Sequence, residues 1–151
     1  MTLYSIALFL HIIGAVSLFV LLTVEGITLR QGTTGARFNR AFGPVSALLI
    51  LVPGFYMVAA GAGWSAWVGV GLISWLLIAV IGAVTGISVL RGRMSRRSAA
   101  ISWAARVGLA LAVVFIMTVK PGLLVSSIVV IAGATAGFAA SLVTARQVQS
   151  A

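Results

Sequence analysis

His11 is the sole histidine in 151 residues and Glu25 the sole side-chain carboxylate, and cysteine is absent. Acid–base or ligand chemistry therefore has very few groups to run through. Without cysteine there are no thiolate nucleophiles, disulfides or Cys-ligated metal centres. One carboxylate excludes paired-carboxylate hydrolysis and cannot build an oxygen cage for a hard cation. No catalytic constellation and no metal cluster can be assembled from these residues. A neutral imidazole inside an apolar segment can ligate an iron, pass a proton or hydrogen-bond a quinone carbonyl. Its structural alternative is a hydrogen bond to a carbonyl or hydroxyl of a neighbouring helix.

Tyr4, His11, Leu18 and Glu25 recur every seven residues. A helix drifts only about 20° per heptad, so the four line one stripe. Gly14 and Ala15 flank His11 and leave room for a partner helix or a flat ligand. His11 lies about eight residues into its segment, roughly 12 Å deep at the helical rise, and Glu25 lies roughly 21 Å further along. That places Glu25 at the far membrane interface, ion-paired with Arg106, Arg40 or Arg30, or at the end of a proton or cation path that starts at His11. Tyr56, beside Pro53-Gly54, falls at a depth close to His11 and is the expected second wall of a pocket there. Met57, Met94 and Met117 are soft enough for copper, but they sit on separate segments and read as core or lipid-facing residues.

These side chains are carried by a chain that is 62% hydrophobic and 7% charged, with a mean hydropathy of +1.23. Such a composition leaves no water-soluble domain and predicts a single all-α membrane domain, a bundle of five transmembrane helices. The spans run over about 3–28, 44–60, 67–90, 101–119 and 122–145. Pro44 and Pro121 suit the first turns of the second and fifth helices. Pro53-Gly54 should kink the second helix and free a carbonyl. The start has no basic region ahead of its long apolar run, so the first segment reads as a retained span and not a cleaved signal.

Nine of the ten basic residues are arginines. On a five-span path Arg30, Arg37, Arg40, the Arg91–Arg97 cluster, Arg106 and Arg146 fall on one side and Lys120 on the other. The positive-inside rule then puts the N-terminus outside and the C-terminus in the cytoplasm. The net charge of +9 belongs to lipid headgroups and not to nucleic acid, with Arg91, Arg93, Arg96 and Arg97 as the main contacts to anionic lipid. An excess of arginine over lysine with abundant Ala, Val and Gly fits a GC-rich bacterial genome, hence a bacterial cytoplasmic membrane. Small-residue stripes at Gly82 and Gly86, and at Gly133, Gly137 and Ser141, predict close helix packing. The odd span number argues against a two-fold internal repeat, so any symmetry would come from a homo-oligomer.

The run Leu8-Phe9-Leu10-His11-Ile12-Ile13-Gly14-Ala15 resembles the first helix of several small bacterial membrane families. Among them are an uncharacterised integral-membrane family, the HemJ-type protoporphyrinogen oxidases and the CopD-type copper-resistance membrane domain. Met117-Thr118-Val119-Lys120-Pro121-Gly122 is also similar to a Lys-Pro-Gly segment of the uncharacterised family. The HemJ resemblance implies haem held by a first-helix histidine, which maps to His11. The chain lacks the additional histidines and the intraspan lysine of those enzymes. The expectation is a small membrane subunit or accessory protein, not an enzyme. His11 and Tyr56 would contact haem b or a quinone within a homo-oligomer or larger redox complex. The alternatives are a minimal transporter or channel using His11, Tyr56 and Glu25, and a purely structural subunit.

Overall fold

The computed structural model describes residues 2–31, 33 and 35–149, with the backbone alone for 143–149. The expected Arg146 side chain, Gly32 and Thr34 lie outside that description. The chain forms α1 (Leu3–Arg30), α2 (Ala36–Met57), a π-helical turn (Val58–Ala62), α3 (Ala66–Leu90), α4 (Arg96–Val119) and α5 (Leu123–Gln149). All five are long and apolar enough to cross a membrane, and no strand occurs among the described residues. The protein is an all-α, multi-pass membrane bundle. At 28 residues, α1 extends about 42 Å against a hydrocarbon core of about 30 Å, so it must tilt or project.

Helix ends follow local chemistry. Thr2 and Ser95 cap α1 and α4 by accepting from the amides of Ser5 and Ser98. The end of α3 is a Schellman turn, with Gly92 at φ 64° and the Arg93 amide donating to the Ser88 carbonyl. The α2 helix begins at Ala36, eight residues before the expected start at Pro44, because the polar stretch around Asn39 docks on α1. Pro44 thus sits inside the helix and not in its first turn. Similarly, α4 begins at Arg96 and not near Ile101, adding more than a turn before Trp103 and Arg106. Pro121 precedes α5, and its carbonyl accepts from Ser126 Oγ.

Helices α1, α2, α3 and α4 pack in a ring in chain order, and the ring closes through α4 against α1. The diagonal pairs hardly touch. Helix α5 lies outside the ring on α4 and α3, and its outer side chains, among them Leu124, Ile131 and Phe138, are exposed. Two interfaces bring backbone onto backbone. A Cβ on Gly14 would stand 2.7 Å from the Leu49 carbonyl carbon, and one on Gly133 would stand 2.6 Å from the Gly108 carbonyl oxygen. The α5 glycine stripe is therefore spent inside the chain, on α4. In α3, Gly82 faces Arg106, while a Cβ on Gly86 would meet nothing within 4 Å.

Candidate functional site

One half of the ring is filled. Leu22, Ile78, Leu109 and Ala110 form a buried layer, with Leu18, Phe19, Trp103 and Val107 packed against it. Trp103 spans α4 to α1, donating its indole N–H to the Leu22 carbonyl at 2.7 Å. Beyond the layer lies the polar knot expected at the membrane surface. Both terminal guanidinium nitrogens of Arg106 engage the Glu25 carboxylate as a fork, Nη1 to Oε2 at 3.0 Å and Nη2 to Oε1. Asn39 Nδ2 donates to Glu25 Oε2 at 2.9 Å, and Arg106 Nε donates to the Ser102 carbonyl at 3.3 Å. Glu25 is 9% and Arg106 4% exposed. The pairing with Arg106 is one of those expected from the sequence, and the pair is buried between helices, joining α1, α2 and α4. Neither Arg30 nor Arg40 takes part. The early start of α4 puts Arg106 nearly three turns into that helix, so it no longer counts as a loop charge.

The other half of the ring leaves an open pocket of about 630 Å³. It opens between the N-terminal half of α1, the C-terminal half of α2, the start of α3 and the end of α4, so all its walls lie at the end that carries the N-terminus and Lys120. Tyr4, His11 and Leu18 line it along the expected stripe, with Ala15 beside them; Leu18, Phe19, Ile78 and Ala110 form its floor. Phe55, Trp64, Trp67 and Trp75 supply aromatic walls. The volume falls within the roughly 300–1,000 Å³ usual for ligand pockets.

His11 Nδ1 lies 2.8 Å from the Ile50 carbonyl oxygen. A carbonyl only accepts, so Nδ1 carries the proton, and in a neutral ring Nε2 is left with a lone pair. Pro53, which has no N–H, leaves the Leu49 carbonyl four residues earlier without its helical donor, and the Ile50 carbonyl that His11 engages is the next one along. Gly54 lets the ring approach, since a Cβ there would stand 3.3 Å from His11 Cε1 and Nδ1. Nε2 has no hydrogen-bond partner among the described residues and is not sealed by packing. This bond from α1 to a main-chain carbonyl of α2 is the helix-to-helix contact expected of a structural histidine, and it also leaves Nε2 free, as in metal-ligating histidines whose other nitrogen donates to a carbonyl.

Other sequence-derived site residues fall elsewhere. Tyr56 does not line the cavity, because the helical rotation that turns Phe55 and Met57 inward turns Tyr56 away. His11 and Glu25 lie on opposite sides of the apolar layer and share no cavity. Met57 and Met117, read from sequence as core or lipid-facing, both line the cavity with His11. Their spacing gave no signal, because two separate helices supply them. Arg91, Arg93, Arg96 and Arg97 are exposed around the α3–α4 turn. Comparison with known proteins gave no matching family model, no matching curated protein and no matching solved structure.

Proposed function

We propose that this chain is a small, non-enzymatic membrane subunit whose outer-half pocket would hold haem b, with His11 Nε2 as the residue that would bind its iron. The single observation that carries the reading is the Nδ1–H bond to the Ile50 carbonyl, which leaves Nε2 of the sole histidine, a residue lining the apolar pocket, without a partner. The lining fits such a group: a nitrogen donor, the thioethers of Met57 and Met117 as the other soft donors, aromatic and aliphatic walls, and one cation at the rim. Haem b bound there would supply one-electron transfer. The chain's own residues set the imidazole tautomer, exclude water and give an apolar surround that governs potential. The resemblance of the first helix to HemJ-type proteins supports the same assignment of His11.

The protein is placed in a bacterial cytoplasmic membrane, N-terminus outside, with Arg91, Arg93, Arg96 and Arg97 on anionic headgroups. A quinol is the second reading, favoured by the same lone pair, which accepts from a quinol hydroxyl. A quinone carbonyl would find no donor at neutral Nε2, so the sequence-level idea of a quinone contact narrows to the reduced form. A proton or solute path has less support, because the apolar layer separates His11 from Glu25.

The test is the absorption spectrum of protein isolated in mild detergent from haem-replete membranes. A Soret band that is lost in His11→Ala, with helical content unchanged, supports haem. A colourless preparation carrying extractable quinol supports the second reading. A preparation with neither leaves His11 as a helix-packing residue.

A further inference from the structure

We infer that the cavity takes an amphiphile with an acid group at one end of an apolar body, and that Lys120 binds the acid. Lys120 lines the cavity at the end of α4 and is the only lysine in the chain. Its ammonium sits over the Trp67 ring, 5.5 Å from the centroid, and Trp67 lines the same cavity. The sequence holds a single side-chain carboxylate, and Arg106 and Asn39 engage it on the other side of the apolar layer. No side-chain carboxylate of this protein therefore pairs with Lys120, whose exposed ammonium is free to meet an acid from outside.

The backbone at this point is also unusual. Lys120 is the only non-glycine among the described residues with positive φ, at φ 53° and ψ 50°. This left-handed residue ends α4 as its C-cap, directly before Pro121, which disfavours the right-handed helical region for the residue ahead of it. Helix α4 stops on it, its amide donates to the Ile116 carbonyl, and the αL turn sets the direction in which its side chain leaves.

An acid at the rim with an apolar body in the cavity satisfies both halves of the site. Carboxylates and phosphates share this chemistry, and either a bilayer lipid or a free acid can supply it. The inference rests on the cavity being a ligand site but not on the ligand being haem.

The experiment titrates detergent-purified full-length protein with cis-parinaric acid and with its methyl ester, reading energy transfer from the cavity tryptophans. The wild type should bind the acid at least tenfold tighter than the ester. Lys120→Gln should reduce the acid to the ester's affinity, and Lys120→Arg should restore the preference. A wild type that shows no Soret band yet keeps the acid preference sinks the haem reading and leaves this one standing. Equal binding of acid and ester by the wild type, or an undiminished preference in Lys120→Gln, overturns the inference. Both sources are then separated by competition. Displacement of the probe by phosphatidylglycerol but not phosphatidylcholine nanodiscs supports it with a lipid as the acid, and displacement by neither supports it with a free acid.

Discussion

Replacing Glu25 with leucine leaves the Arg106 guanidinium in the bundle with one hydrogen bond, Nε–H to the Ser102 carbonyl, out of the three it makes. A guanidinium does not deprotonate in proteins, so the charge persists. Removing one partner of a buried pair costs about 3–5 kcal/mol, and at 4% exposure Arg106 belongs in that range. An interfacial pair, as the sequence placed it, would cost only about 0–1 kcal/mol. The reverse change is milder. Arg106→Leu leaves a carboxyl that still accepts from Asn39 Nδ2, for about 1–3 kcal/mol. The double leucine variant removes both charges and should lie within about 2 kcal/mol of wild type. The singles sum to about 4–8 kcal/mol, so the coupling should favour the double by at least about 2 kcal/mol. Unfolding in mixed dodecyl maltoside and SDS micelles, followed by circular dichroism, measures all four proteins. Glu25→Leu within 1 kcal/mol of wild type, or a coupling below about 0.5 kcal/mol, would refute a buried pair and the α1–α4 packing built on it.

At the α4–α5 crossing, Gly108→Ala puts a Cβ into the Gly133 carbonyl and should cost at least about 1–3 kcal/mol, whereas Gly86→Ala, with open space around it, should be neutral or gain up to about 1 kcal/mol. The same micellar unfolding assay checks the pair. Reporter fusions after Arg40, Arg97 and the C-terminus should share one side, cytoplasmic by the positive-inside rule, with fusions at Gly63 and Lys120 on the other; a C-terminus opposite Arg97 would contradict five spans. Because the chain has one histidine, ¹⁵N-histidine labelling yields a single imidazole pair, and it should show a protonated Nδ1 and an unprotonated Nε2. A protonated Nε2 in the neutral ring would remove the ligand assignment.

The five helices were legible because apolar runs of about 17–26 residues, broken by arginines, glycines and prolines, carry the membrane signal directly. The starts of α2 and α4 were not. Residues 36–43 and 96–100 are polar enough to read as loop, and it is the docking of Asn39 on Glu25 and the Ser95 cap that make them helical. The heptad stripe correctly grouped Tyr4, His11 and Leu18 on one face, since that depends on helix geometry alone. Depth along the chain could not give rotation between helices, so Tyr56 was set beside His11 while Phe55 and Met57 hold those walls. The Arg106 partnership was one of three alternatives. Only the ring arrangement, which brings α4 onto α1, selects it.

The most direct measurement is a titration of purified wild type and His11→Ala with haem b, followed by difference absorption around the Soret band and by thermal unfolding. The account predicts a saturable one-to-one Soret shift for the wild type, no such shift for His11→Ala, and helical content and cooperative unfolding retained in the variant. A wild type that gives only the free-haem spectrum, or a His11→Ala protein with the wild-type shift, would contradict it.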